Sequence, residues 1–239
     1  MKRYFFAFLV LTCGCTSAQV GQTLSEINKA IGNQQQPLTT NEVAEGLKEA
    51  LVNGISNGSD LASKLDGYFK NPRIKIPFPP DVKKVEDKLR QIGLGSEVDR
   101  FVLTLNRGAE DAAKEAKPIF ITAIKSMTIQ DAWAILKGNE TAATDYLKRV
   151  TSAQLREKFK PVISNSLNKV NATKYYTDLV TTYNKIPLVK KVDPDLNEYA
   201  TTKAMDGLFL LIADEEKKIR KDPVARTTEL LKKVFGSVK

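Results

Sequence analysis

The chain has 239 residues and a net charge of +9, and 42% of its residues are hydrophobic and 27% charged, as is typical of a folded protein rather than a disordered one. It contains no histidine, and its only cysteines are Cys13 and Cys15. These absences exclude histidine-based catalytic triads and histidine zinc sites and, in the body of the chain, thiol nucleophiles, disulfides and cysteine-bound metals.

The first residues are typical of a secretory signal peptide. A positive start at residues 1–3 precedes an apolar run, Tyr4–Leu11, which is too short to span a bilayer as a permanent helix, and then a small, polar segment. Small residues before Gln19 favour cleavage after Ala18. We therefore predict export, with residues 1–18 removed.

A second cleavage site is equally compatible with this segment. Gly14 and Cys15, with small residues before them, resemble a relaxed bacterial lipobox, although Thr12 stands where leucine is usual. Residues 1–14 would then be removed, and a multiply acylated Cys15 would anchor the protein in the envelope membrane. Both possibilities predict a periplasmic protein, as a soluble form or as a membrane-anchored lipoprotein.

The mature chain is predicted to be a tether, residues 19–38, followed by a single helical domain, residues 39–239. Thr39 and Glu42 form a capping box that begins the first long helix. About ten helices are predicted, with no repeat of fixed period. The predicted helices after the first lie at 82–92, 97–116, 119–127, 128–136, 140–150, 151–170 with a kink at Pro161, 173–186, 195–221 and 222–236, and a short one lies in the tether at 23–31.

Residues 66–80 are predicted to be a short extended connector rather than a helix. Four of them are proline, which restricts the preceding residue to extended backbone, and Ile74 and Ile76 alternate with basic residues. Its aromatic residues, Tyr68, Phe69 and Phe78, either fill the core or form an exposed rim at a binding groove. We expect the first arrangement.

The helix at 195–221 is predicted to be the centre of a compact all-α bundle. Its segment Gly207–Ala213 is apolar on every side, which favours burial on every side. From Asp214 the sequence becomes charged, with Glu216 and Arg220 at a four-residue spacing that allows an ion pair. We expect this second half to extend into water.

Four stretches carry a family resemblance: FKNPRIKIPFPPDVKKVEDKLRQIGLG, LNRGAEDAAKEAKPIF, MTIQDAWAILKGNETAATDYLKRVTSAQLREKFKPVI and DGLFLLIADEEKKIRKDPVARTTELLKKVFG. In order and spacing they resemble a bacterial family of proteins of unknown function, DUF 4197, over residues 41–236. The resemblance implies an all-helical, exported domain and implies no activity.

Arg107 is the charged residue most expected to be partly buried, because its helix is otherwise apolar. A buried arginine needs a partner, and Glu110, Asp206 and Glu215 are candidates. The alternative is a site for an anionic head group, which an arginine can bind with two parallel hydrogen bonds. We prefer a structural ion pair. The candidate ligand or ion-pair residues are Asn106, Arg107, Glu110, Asp206, Glu215 and Arg226.

These patterns favour an exported bacterial envelope protein that acts as a non-catalytic binding or structural module. One alternative is a carrier of a hydrophobic or lipid ligand, in which the apolar helix lines a cavity of several hundred Å³. Another is a carboxylate-based hydrolase that uses Glu110, Asp111 and Glu115. No catalytic residue, metal site, cofactor or nucleic-acid partner is predicted. The expected partners are the envelope membrane through Cys15, a protein, or a hydrophobic ligand.

Overall fold

The computed structural model describes residues 39–185, 187–188, 190–222, 232 and 234, and these residues are all-helical with no strand. Contacts divide the chain into residues 1–38 and a compact unit of residues 39–239. The helices are α1 (Thr40–Ser63), α2 (Lys83–Gln91), α3 (Gly95–Ala113), α4 (Ala116–Lys125), α5 (Ile129–Lys137), α6 (Ala142–Asn168), α7 (Ala172–Tyr183) and α8 (Leu196–Lys221), with a 3-10 helix at Pro80–Val82.

Three helix starts follow the predicted capping chemistry. The Thr39 hydroxyl accepts the backbone N–H of Glu42, and the Glu42 carboxylate accepts the backbone N–H of Thr39, which completes the predicted capping box of α1. Thr128 begins α5 in the same way, and Asp195 begins α8 by accepting the backbone N–H of Glu198 at 2.9 Å. Local sequence therefore determines where these helices begin.

The described residues contain eight α-helices rather than about ten. One reason is that the predicted helices 140–150 and 151–170 are a single helix, α6. Thr151 does not cap a helix there: it is buried, and its hydroxyl donates to the carbonyl of Leu147 at 2.6 Å. Pro161 lies inside α6 without ending it. The predicted helix 23–31 and nearly all of 222–236 lie outside the described residues.

The core forms where α8 packs against α1, α3, α6 and α7. Most of the apolar segment Gly207–Ala213 is buried, but Leu210 is 37% exposed, so the expectation of burial on every side was wrong. The expectation that the charged half extends into water was also wrong, because Glu215 and Glu216 are buried at 8% and 6% exposure. Both carboxylates tolerate this burial because they are paired.

The connector, residues 66–80, forms turns, bends and the first residue of the 3-10 helix, with no strand. Ile74, Ile76 and Phe78 are buried, whereas the residues between them are exposed, as their alternation predicts. Tyr68 is completely buried, and its hydroxyl donates to the carbonyl of Ala204 at 2.6 Å. The connector thus lies against α8 and contributes side chains to the core.

A test of helix length and hydropathy finds no single membrane-spanning helix in the described residues. One pair of segments, Gly95–Lys125 and Ile129–Lys137, passes that test only together and is bent by 107°.

Candidate functional site

Glu110, one of the predicted site residues, has a buried carboxylate. The hydrogen bonds that it accepts among the described residues all come from the connector or from α3. Its Oε1 accepts the backbone N–H groups of Tyr68 and Phe69, both at 3.1 Å, and its Oε2 accepts Arg107 at 2.6 Å. Arg107 also donates to Asp66 at 2.8 Å. The predicted pair Arg107–Glu110 is therefore present, with Asp66 as a second partner that the sequence did not indicate.

The charges of this cluster keep Asp66 ionised. Hydrogen bonds from Lys70 and then from Arg107 hold the pKa of the Asp66 carboxyl below its ordinary value. The Arg107 guanidinium also lies over the ring of Phe69, 5.7 Å from its centroid. With Phe69 covered in this way and Tyr68 buried, neither aromatic ring forms the exposed rim that was the alternative prediction.

Asn106, the residue before Arg107 on α3, also binds the backbone of the connector. Its Oδ1 accepts the backbone N–H of Ile76 at 2.8 Å, and its Nδ2 donates to the carbonyls of Ile76 and Val102 at 2.8 and 2.7 Å. The amide thus pairs with the connector as a neighbouring strand would. Asn106, Arg107 and Glu110 together bind the connector to α3, which supports the structural interpretation over a ligand site.

The remaining predicted residues do not join this cluster. Asp206 is exposed, and Glu215 forms an ion pair with Lys218 at 3.0 Å. Arg107 therefore uses neither of them, because Asp66 is its second partner. Arg226 lies outside the described residues. Asp111 and Glu115, proposed with Glu110 for hydrolysis, are exposed, so the three carboxylates do not share a buried cleft.

A second buried carboxylate, Glu216, joins three helices. It accepts the backbone N–H groups of Ala143 and Thr144, at 3.0 and 2.9 Å, and so caps the start of α6, whose own N-cap residue makes no capping hydrogen bond. Arg220 binds Glu216 at 2.8 Å and donates to the carbonyl of Ile135 at the end of α5, also at 2.8 Å. The predicted pair is confirmed, and its role is structural.

A groove of about 750 Å³ lies at the other end of α6, where Lys169 and Val170 follow that helix. Its walls come from α2, α3, α7, the turn between α6 and α7, and Phe78 of the connector. An aromatic series lies along it: the ring centroids of Phe78 and Phe101 are 5.0 Å apart, and those of Phe101 and Tyr176 are 6.5 Å apart. The groove has an apolar floor with aromatic surfaces, which suits a hydrophobic ligand.

Polar groups lie at the edges of the groove. Glu97 and Arg100 of α3 form an exposed pair at 4.0 Å, and Lys169 on the opposite side makes no ion pair within the described residues. Tyr176 is neutral at physiological pH, because burial raises the pKa of its phenol to about 12. The edge of the groove therefore carries a small net positive charge, and its floor is uncharged.

The apolar helix α8 does not line this groove. Between α8, α1 and α6 only about 10 Å³ of space remains, close to the size needed for one water molecule. Helix α8 does line two depressions beside the connector, of about 250 and 300 Å³. The groove of about 750 Å³ is lined by other elements, so it gives no support to the carrier hypothesis in the form that places the ligand against this helix. Phe78 lies in the wall of the groove, but it is buried, so it does not form the exposed rim of the alternative prediction.

The groove was not predicted from the sequence, although α3 carries a signal for it. Phe101 follows Val98 by three residues, and both line the groove. That spacing widens the apolar surface of α3 beyond what one neighbouring helix can cover. An apolar surface of this width was the available signal for a second contact region.

A comparison with protein families matches residues 37–236 to the family described as "Protein of unknown function (DUF4197)". The chain belongs to this family. No curated protein and no solved structure matches the chain. For this DUF4197 protein the family description assigns no activity, so a function has to be argued from the groove and the buried carboxylates.

The groove lies wholly within the residues that the DUF4197 family model matches. The connector that supplies Phe78 is held by Asn106 and Glu110, so the residues predicted as a site support a wall of the groove from behind.

Proposed function

We propose that this DUF4197 protein is an exported envelope protein that binds a hydrophobic ligand in the groove and does not transform it. The signal-peptide pattern at residues 1–18 supports export. The observation that carries the binding proposal is the groove itself, with about 750 Å³ of space and the aromatic series Phe78, Phe101 and Tyr176.

The size and chemistry of the groove favour a single acyl chain with an anionic head. Ligand sites range from about 300 to 1,000 Å³ and combine an apolar surface with few polar groups. An acyl chain would lie on the aromatic rings. Its head would meet the groove edge, where Lys169 has no ion pair within the described residues.

The distribution of carboxylates supports binding rather than hydrolysis. General acid–base catalysis needs carboxyl groups that can reach a substrate. Glu110 and Glu216 are buried and committed to backbone N–H groups and arginines. The described groove lining holds a single carboxylate, Glu97, which is exposed and faces Arg100.

The test is a fluorescence titration with cis-parinaric acid, an 18-carbon fatty acid, in buffer without vesicles. The variant Thr104→Trp places a large side chain on the groove wall, and Thr122→Trp is its matched control. Both threonines donate to the carbonyl four residues earlier in their helix, at 2.9 Å, but only Thr104 lines the groove.

We expect saturable binding that weakens at least about tenfold in Thr104→Trp and stays unchanged in Thr122→Trp, because a filled groove loses its apolar contacts. Circular dichroism melting of both variants checks that the fold is retained. The proposal fails if the probe does not bind, or if the two variants lose affinity equally.

A further inference from the structure

Three apolar side chains are exposed around the mouth of the groove. Leu94 and Tyr175 line the groove on opposite walls and are 42% and 66% exposed, and Ile92, two residues before Leu94, is 59% exposed. Exposed apolar residues are ordinary when scattered singly. Grouped around one apolar opening, they extend the hydrophobic surface of the groove outward.

Helix α2 lies on the same side of the groove as Leu94 and is only partly covered by the rest of the protein. None of its residues is fully buried, and the contacts of its backbone in the described residues are mainly with α3 and the 3-10 helix before it. Its apolar residue Leu89 lines the groove, and Val85 lines an adjoining depression of about 490 Å³. A short amphipathic helix of this kind resembles those that lie in a membrane interface.

The charges on α2 fit an anionic surface. Lys83 and Arg90 are paired with Glu86 and with neighbouring aspartates. Lys84 and Lys88 are exposed and make no ion pair within the described residues, so their charges are available.

The opposite wall adds one more available charge. Lys169 is exposed at the groove edge, whereas on α7 the charges of Lys174 and Asp178 offset each other. The groove mouth thus combines exposed apolar side chains with three lysines, Lys84, Lys88 and Lys169.

We infer that α2 and the mouth of the groove form a docking surface for an anionic lipid bilayer, from which the ligand enters. The inference rests on the proposed function for its ligand, whereas the docking surface has its own evidence in the exposed apolar side chains and lysines. In the docked state α2 lies along the headgroup layer, with Ile92 and Leu94 inserted and Lys84 and Lys88 over anionic headgroups.

The experiment is vesicle co-sedimentation of the chain that begins at Gln19. This chain keeps the compact unit 39–239 and lacks Cys13 and Cys15, so no acyl group can cause binding. The vesicles are phosphatidylcholine alone or an equal mixture of phosphatidylglycerol and phosphatidylcholine. We expect partition into the anionic vesicles that decreases as salt is added, and little partition into the neutral ones.

Matched variants locate the surface. Lys84→Gln with Lys88→Gln should lower the partition coefficient by roughly fivefold per lysine, because a lysine near an anionic surface contributes about that factor. Lys125→Gln with Lys158→Gln, exposed lysines on α4 and α6 that do not line the groove, should leave it unchanged. Ile92→Ser should lower it and Ile129→Ser, a similarly exposed isoleucine, should not.

Equal losses in the docking and control variants, or equal partition into neutral and anionic vesicles, would overturn the inference. Binding of cis-parinaric acid in buffer separates the two proposals, because Lys84 and Lys88 do not line the groove. Fatty-acid binding without vesicle binding rejects the docking surface alone. Vesicle binding without fatty-acid binding rejects the proposed function and leaves the docking surface standing.

Discussion

At the scale of single residues, two buried glutamates each bind two backbone N–H groups of another segment. Glu110 accepts two backbone N–H groups of the connector, and Glu216 accepts two at the start of α6, and each also binds an arginine. A carboxylate with three or more donors is stable without water because its lone pairs are satisfied.

Replacing Glu216 should therefore be costly. Glu216→Gln removes the charge that pairs with Arg220, whose side chain is only 14% exposed, and should lower the free energy of unfolding by roughly 3 kcal/mol or more. The measurement is urea unfolding followed by circular dichroism.

Glu215→Gln is the control, because Glu215 is the adjacent residue and its partner Lys218 is 62% exposed. We expect it to cost less than about 1 kcal/mol. Similar losses in the two variants would contradict the structural role assigned to Glu216.

The residue-scale predictions succeeded where the partners are near in sequence. Arg107–Glu110 and Glu216–Arg220 are three and four residues apart, so helix geometry alone places them together. Asp66 is 41 residues from Arg107, and Ala143 is 73 from Glu216. These contacts depend on how helices pack, which spacing along the chain does not determine.

At the scale of elements, the connector packs closely against α8 at Gly207. A Cβ atom there would lie 2.8 Å from the ring of Tyr68 and 3.0 Å from the Cβ of Ile74. Only glycine leaves room for these two buried side chains. The glycine in this apolar helix therefore allows the connector to pack against α8.

Gly207→Ala should therefore destabilise the protein by about 1–3 kcal/mol, the usual cost of overpacking a core, despite the better helix propensity of alanine. The comparison variant is Gly95→Ala at the start of α3, where the nearest atom would be 3.8 Å away on the side chain of Arg90. It should cause no loss. Thermal unfolding of both proteins measures the difference, and a stable Gly207→Ala would show that the connector is loosely packed.

The predicted helix starts are correct where the capping side chain is the residue just before the helix, and one is wrong where the same pattern lies inside a helix. Thr39, Thr128 and Asp195 begin helices as expected. Thr151 and Gln154 show the same spacing as a capping box, but Thr151 faces the core and bonds to Leu147 inside one continuous helix. A capping pattern predicts a start only if the preceding residues leave the helical conformation.

At the scale of the whole molecule, the position and the walls of the groove could not have been predicted, although the wide apolar surface of α3 was a signal for a second contact region. Its walls come from segments as distant in sequence as Phe78 and Leu179, and their meeting depends on the packing of α3 against α6 and α7. The sequence predicted an all-helical protein correctly, because helix periodicity is local. It could not show that the free space would lie beside α7 rather than beside α8.

The fate of the N-terminal segment is also a property of the whole protein. We expect native mass spectrometry of the protein purified from its own envelope to show a chain that begins at an acylated Cys15. Cys15→Ser should then leave only the salt-sensitive binding of the docking surface, so that added salt moves the variant, but not the acylated protein, from the membrane fraction to the soluble fraction. A bare chain beginning at Gln19 would contradict the anchor and would make the docking surface its only described route to a bilayer.

The way the connector is held has a consequence for aggregation. Residues 72–80 carry a strand-like alternation, with Ile74 and Ile76 between basic residues, and an unpaired extended segment of this kind is a template for pairing with other copies. Here Asn106 forms hydrogen bonds with both the N–H and the carbonyl of Ile76. Glu110 accepts the backbone N–H of Tyr68, before this segment, and the four prolines have no N–H to donate. The folded chain thus presents no open strand edge in this segment, which protects it against edge-to-edge aggregation.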